Sequence, residues 1–142
     1  MAVHYIEEDR KATGFKRAVT KKWLHDVVTI EGKKAGVINF IFCSDEFLAD
    51  INFEFLKRDY YTDVITFDYT KNGNISGDIM ISVDRVNENA LNFDVTVTEE
   101  LKRMMVHGLL HLIGYDDVTE ELKAVMSARE DFYLAMGKED AK

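Results

Sequence analysis

The chain has 142 residues, enough to bury about two-thirds of its unfolded surface around one core without covalent staples. Hydrophobic residues make up 46% and charged residues 31%, which excludes a disordered or coiled-coil chain, and the absence of proline excludes Pro-rich linkers and PxxP ligands. With 18 basic against 26 acidic residues the formal charge is −8, so contact with nucleic acid has to rest on a local cationic patch.

No apolar run approaches the ~20 residues that span a bilayer, and the start MAVHYIEEDR lacks a basic then apolar leader, so no membrane contact and a cytoplasmic location are expected. The single cysteine, Cys43, fits a reducing compartment and a role as a small buried hydrophobe.

In chain order, Val3 to Ile6 reads as a short edge strand, and Phe15, Val19, Trp23 and Val27 recur at helical spacing. Gly32 and Gly36 bracket a basic turn. The nearly continuous apolar run from Val37 to Cys43 predicts a strand buried on both faces. Ser44 is placed to cap a helix with Phe47, Leu48, Ile51 and Phe55 on its buried stripe. The segments DVITFDY (63–69) and ISGDIMISV (75–83) flank Asn72-Gly73, the signal of an antiparallel hairpin. A short helix follows from Asp84 to Phe93.

Thr96 with Glu99 forms a capping box that opens a helix from about Val97 to Ile113, apolar nearly all round in its second half and stopped by Gly114. The last helix places Leu122, Val125, Met126, Arg129, Phe132, Tyr133 and Met136 on one side and ends at Gly137. The expected fold class is α+β, a single domain spanning residues 1–142, with a small mixed β-sheet packed with about five helices and a metal-binding central helix.

His107 and His111 lie four residues apart on that buried helix, so both imidazoles reach one point and can share a metal. Gly114 lets the chain turn back, bringing Asp116 and Asp117 past the helix end. The pattern has the logic of the zinc-peptidase motif His-Glu-x-x-His-x-x-Gly-x-x-His, with Gly108 in the Glu position and Asp117 in the last. Spacing alone leaves Asp117 as a third ligand or as the cap of the last helix with Glu120, and Asp116 as the rival ligand. Arg103, one turn before His107, points to bound phosphate or pairs with Glu99 or Glu100. Lys16, Arg17, Lys21, Lys22, Lys33 and Lys34 form the densest basic stretch, a track for phosphates. Asp63 and Asp78 are placed to orient a ligand histidine by hydrogen bonds.

The stretch His107-Gly108-Leu109-Leu110-His111-Leu112-Ile113-Gly114-Tyr115-Asp116-Asp117 resembles the signature of the YbeY family of metal-dependent rRNA-maturation endoribonucleases, His-Gly-x-Leu-His-Leu-x-Gly-Tyr-Asp-His. Thr62 to Phe67 resembles that family's Thr-Asp-Val-Leu-Ser-Phe segment and Gly77 to Ser82 its Gly-Asp-Ile-x-Ile-Ser segment, and Asn52, Met126 and Glu130 also fall on family positions. The resemblance covers roughly residues 37 to 133.

It implies a cytoplasmic, zinc-dependent, single-strand-specific endoribonuclease acting in 16S rRNA 3′-end maturation and ribosome quality control. Its partners would be single-stranded rRNA and the ribosomal small subunit or its proteins. One Zn2+ would be held by His107, His111 and Asp117, and Asp116 and Arg103 are the candidate catalytic residues. The proton acceptor stays open between Asp116, hydroxide on the metal and a group of the substrate. The chain departs from the pattern at Asp117 (family His), at Leu56 (family Arg, with Lys57 and Arg58 as neighbouring substitutes) and at Tyr61 (family Pro). The alternatives are a non-catalytic metal-binding ribosome assembly factor, or a metallohydrolase of another substrate class, peptidases included; the missing Glu at 108 counts against a peptidase.

Overall fold

A computed structural model describes residues 1–58 and 62–140; Tyr61 lies outside the described residues. Among the described residues the chain forms β1 (Ala2–Glu7), α1 (Arg17–Ile30), β2 (Lys34–Cys43), α2 (Asp45–Leu56), β3 (Val64–Asp68), β4 (Asn74–Ser82), α3 (Val83–Asn92), α4 (Val97–Ile113) and α5 (Glu120–Asp140). The sheet order is β1-β2-β4-β3, with β1 and β4 parallel to β2 and β3 antiparallel to β4. This is the mixed sheet of an α+β domain.

The β3–β4 hairpin turns at Asn72 (φ 55°) and Gly73 (φ 77°), and in its register Ile65 faces Met80 and Thr66 faces Ile79. Three helix starts follow the capping chemistry written in the sequence: Ser44 accepts from the amide of Phe47, Ser82 from that of Arg85 and Thr96 from that of Glu99, each at 3.1 Å.

The main core joins Ile38, Phe40 and Phe42 of β2 and Ile79 and Ile81 of β4 to Trp23, Leu24 and Val27 of α1 and Met105, Leu109 and Leu112 of α4. A smaller cluster, Cys43, Leu48, Ile65 and Met80, places α2 over the opposite face. Burial pushes the Cys43 thiol up to about 12, so it stays a protonated, apolar filler. Helix α4 reaches the sheet closely because residue 108 has no side chain: a Cβ there would lie 2.5 Å from Ile79 Cγ2. Position 108 therefore faces the sheet while His107 and His111 turn the other way.

Several expectations are corrected. Phe15 precedes α1 and packs against Tyr5 and Phe42 from the loop. β2 is not buried on both faces, since Ile38, Phe40 and Phe42 are covered while Asn39 and Ile41 are half-buried and Val37 is exposed. Phe55 is 59% exposed and Asn52 takes the buried place on α2. On α5 the buried positions are Met126, Glu130, Tyr133 and Leu134, whereas Leu122, Val125 and Phe132 are exposed. Gly137 does not end α5; a Cβ there would meet Trp23 Nε1 at 2.9 Å, so that glycine admits the indole, whose N–H donates to the Tyr133 carbonyl at 2.8 Å.

Candidate metal centre

The buried half of α4 holds His107 and His111 one turn apart, with their rings edge to face at 4.6 Å between centroids. The helix stops at Gly114, whose φ of 126° is open to glycine and costly for a side chain, and the chain doubles back there. Asp117 is thereby returned to the histidines. Its Oδ2 lies 3.5 Å from both His107 Nε2 and His111 Nε2, and the two Nε2 atoms are 3.1 Å apart.

The outer nitrogens settle the tautomers. His107 Nδ1 is 2.6 Å from Glu130 Oε2, and His111 Nδ1 is 3.0 Å from the Tyr115 carbonyl. A carboxylate and a carbonyl only accept, so each Nδ1 carries the proton and each Nε2 of the neutral rings presents a lone pair. Two lone pairs and a carboxylate oxygen thus converge on one point. Ligand atoms at the ~2.0–2.1 Å typical of zinc, set on a tetrahedron, stand about 3.3–3.4 Å apart. The observed edges of 3.1, 3.5 and 3.5 Å match that spacing, so His107, His111 and Asp117 fit one divalent metal ion.

Glu130 is the carboxylate behind His107, and its side chain is 7% exposed. Burial works against a charged His107, but the hydrogen bond and charge of Glu130, helped by Asp117, outweigh it and leave the imidazole pKa above its ordinary value. Such an arrangement raises the basicity of a ligating imidazole.

Arg103 lines the same cavity, but its partners are not the Glu99 or Glu100 that helical spacing offered. Nη1 donates to Glu130 Oε1 at 2.9 Å and Nη2 to Asp131 Oδ1 at 2.6 Å, so its fork holds α5. Asp116 also lines the cavity, and its Oδ1 accepts from the amides of Asp117 (2.6 Å) and Val118 (3.2 Å), closing the turn that presents Asp117. The cap of α5 is Thr119, which accepts from the amide of Leu122 at 3.1 Å. The cap role that spacing left open for Asp117 thus falls to Thr119.

The His107, His111 and Asp117 triad opens into a cavity of about 820 Å³ that reaches Leu56, Arg58, Asn89, Phe93 and Glu100. Among the described lining residues the cations are Arg58 and Arg103, and none of the α1 lysines contributes. Arg58, two residues after Leu56, lines the cavity with it, while Lys57 turns away to the carbonyl of Glu54. Asp63 accepts from Asn89 on the cavity wall at 3.1 Å, and Asp78 accepts from Asn39 and Tyr69 elsewhere; neither holds a ligand histidine. Sequence reasoning gave Glu130 no role and missed Asn89 and Glu100 on the wall.

A family model described as endoribonuclease YbeY matches residues 5–137. A protein named endoribonuclease YbeY from Parabacteroides distasonis is 42% identical over 142 residues, covering all of both chains. Its namesake from Flavobacterium johnsoniae is 49% identical over 114 residues, 80% of this chain and 82% of the relative. Among solved structures, a solution structure of a Thermotoga maritima protein matches with a TM-score of 0.66 at 27% identity, covering 95% of this chain and 88% of that one.

Proposed function

The chain belongs to the endoribonuclease YbeY family, and from that premise we propose that it is a metal-dependent hydrolase that cuts single-stranded RNA internally, with one zinc ion held by His107, His111 and Asp117. The observation that carries the proposal is the triangle of two imidazole lone pairs and one carboxylate oxygen facing a cavity wide enough for nucleotides. Two imidazoles and one carboxylate are a donor set suited to zinc.

A divalent cation held by His107, His111 and Asp117 would supply Lewis acidity toward a phosphoryl oxygen and toward water. The chain's own residues divide the remaining work. Arg58, exposed on the cavity wall, attracts the phosphodiester backbone into an otherwise acidic site. Arg103 keeps Glu130 in place behind His107, acting on the metal centre through that carboxylate. Asp116 uses Oδ1 for the turn and offers Oδ2 to the attacking water as proton acceptor. Phe93, 65% exposed at the cavity, gives an unpaired base a ring to stack on, which favours single strands over duplex. A peptidase-like general base at position 108 is sterically barred, because that position packs on Ile79.

The physiological substrate in this reading is the 3′ end of 16S rRNA, met in the cytoplasm on the small ribosomal subunit. What supports it is the three-motif resemblance and the name shared by the relatives. The test is cleavage of end-labelled single-stranded RNA at low ionic strength, since the phosphate contacts of the cavity's arginines weaken as salt rises. Metal-loaded protein is expected to cut it, chelated protein and His111→Ala are not, and a duplex of the same sequence is expected to resist. Metal uptake without cleavage of any RNA would favour the assembly-factor alternative.

A further inference from the structure

His111 is oriented by a backbone carbonyl, that of Tyr115, and this carbonyl belongs to the loop that also presents Asp117. The loop follows Gly114, a flexible link, and the Tyr115 amide bonds the Leu110 carbonyl at 3.0 Å. The other end of Tyr115 is fixed from far away in the chain. Its hydroxyl donates to Glu31 Oε1 at 2.6 Å, across 84 residues, and accepts from Arg129 Nε at 3.1 Å. Arg129 Nη2 also donates to Glu31 Oε2 at 3.0 Å, and the Tyr133 hydroxyl donates to the same oxygen.

Glu31 stands just past the C-terminus of α1, and its side chain is 6% exposed. Placing a carboxylate next to the negative end of a helix dipole and removing it from water are both unfavourable, so three donors are needed to hold it there. The network ties the Tyr115 hydroxyl to α1 and α5, and Tyr115 in turn carries the carbonyl that meets His111 Nδ1.

We infer that Glu31 is a positioning residue of the metal centre: its carboxylate clamps the Tyr115 hydroxyl, and the clamped residue sets the carbonyl that keeps the His111 proton on Nδ1 and the loop that brings Asp117 to both histidines. The inference rests on the reading of His107, His111 and Asp117 as metal ligands. It extends the support of the centre from α5, where Glu130 holds His107, to α1.

The test uses the full chain with Glu31→Gln, Tyr115→Phe and the double variant, alongside Val28→Ala, which removes buried volume from α1 without touching the network. Zinc affinity is read by competition with a chromophoric chelator. Each network variant should lose roughly 10- to 100-fold in affinity, the usual effect of removing a group that orients a ligand, and the double variant should lose no more than the worse single. Val28→Ala should bind zinc as wild type does, even though its melting temperature falls. Nitrogen NMR of the metal-free protein gives a second, metal-independent reading: the His111 proton sits on Nδ1 in wild type and is shared between the two ring nitrogens in the variants. Folded network variants with wild-type zinc affinity and an unchanged His111 tautomer would overturn the inference, as would an equal affinity loss in Val28→Ala. A wild-type protein that takes up no zinc would sink the ligand reading separately, and the tautomer would still decide whether Glu31 orients His111.

Discussion

Adding a single methyl at Gly108 sets two effects of opposite sign against each other. Alanine is favoured over glycine inside a helix by about 1 kcal/mol. The new Cβ, however, would stand 2.5 Å from Ile79 Cγ2 and 3.3 Å from Cδ1 and Cγ1, where carbon atoms prefer ~3.5–4.0 Å. Ile79 is 0% exposed on β4 and has no solvent to swing into, so the helix must lift from the sheet by about 1 Å. Overpacking of this kind costs typically 1–3 kcal/mol, so after the propensity gain Gly108→Ala should be destabilised by up to about 2 kcal/mol. Urea unfolding measures it directly as a lower midpoint with an unchanged slope. In the Gly108→Ala background Ile79→Ala should cost less than the 2–5 kcal/mol expected alone, because the truncation makes room for the new methyl. His107, His111 and the Asp117 loop move with α4 as a unit, so zinc affinity should be largely kept. A Gly108→Ala protein as stable as wild type, with no coupling to Ile79, would refute the close approach of α4 to β4.

Asp117→Ala should lower zinc affinity sharply, whereas Asp116→Ala should lower it far less, through the loosened turn, lose about 1 kcal/mol of stability with its two turn hydrogen bonds, and lose RNA cleavage; equal metal loss in both, measured by chelator competition, would contradict the assignment. Phe93→Ala should weaken single-stranded RNA binding by about 1 kcal/mol, read by fluorescence anisotropy, with the melting temperature unchanged because the ring is exposed. Burial raises the Glu100 pKa above the ordinary carboxylate value despite the Asn89 hydrogen bond and Arg103. A raised folded-state pKa in an acid gives stability that is present below the unfolded value and lost as pH rises through the folded one. Glu100→Gln should therefore gain melting temperature at pH 7 relative to wild type and show little gain at pH 4, and a gain that is flat with pH would contradict the assignment.

The parts of the molecule legible in the sequence are those set by local chemistry. Thr96 and Gly114 bound α4 as written, Asn72-Gly73 turns the hairpin, and the spacing of His107, His111 and Asp117 brings three donors to one point. What escaped is set by tertiary pairing between distant segments. Helical spacing offered Glu99 and Glu100 as partners for Arg103, but Glu130 and Asp131 of α5 lie closer once α5 packs on α4. Glu31 drew no reading at all, because nothing in its own segment names Tyr115, 84 residues on, as its partner. Gly137 read as a helix stop because a glycine that ends a helix and one that admits an indole look alike in sequence. Phe55 and Phe132 fit an apolar stripe by period, yet each stays more than half exposed once its helix has packed, at 59% and 51%.

His107, His111 and Asp117 together are expected to hold one divalent ion at the floor of the proposed RNA-cleaving cavity. Anomalous diffraction at the zinc edge, from crystals of the zinc-loaded protein, tests it most directly. One strong peak is expected about 2.0–2.2 Å from His107 Nε2, His111 Nε2 and a carboxylate oxygen of Asp117, with the Nδ1 contacts to Glu130 and Tyr115 intact. No peak at that point, or a peak coordinated by Asp116 in place of Asp117, would contradict it.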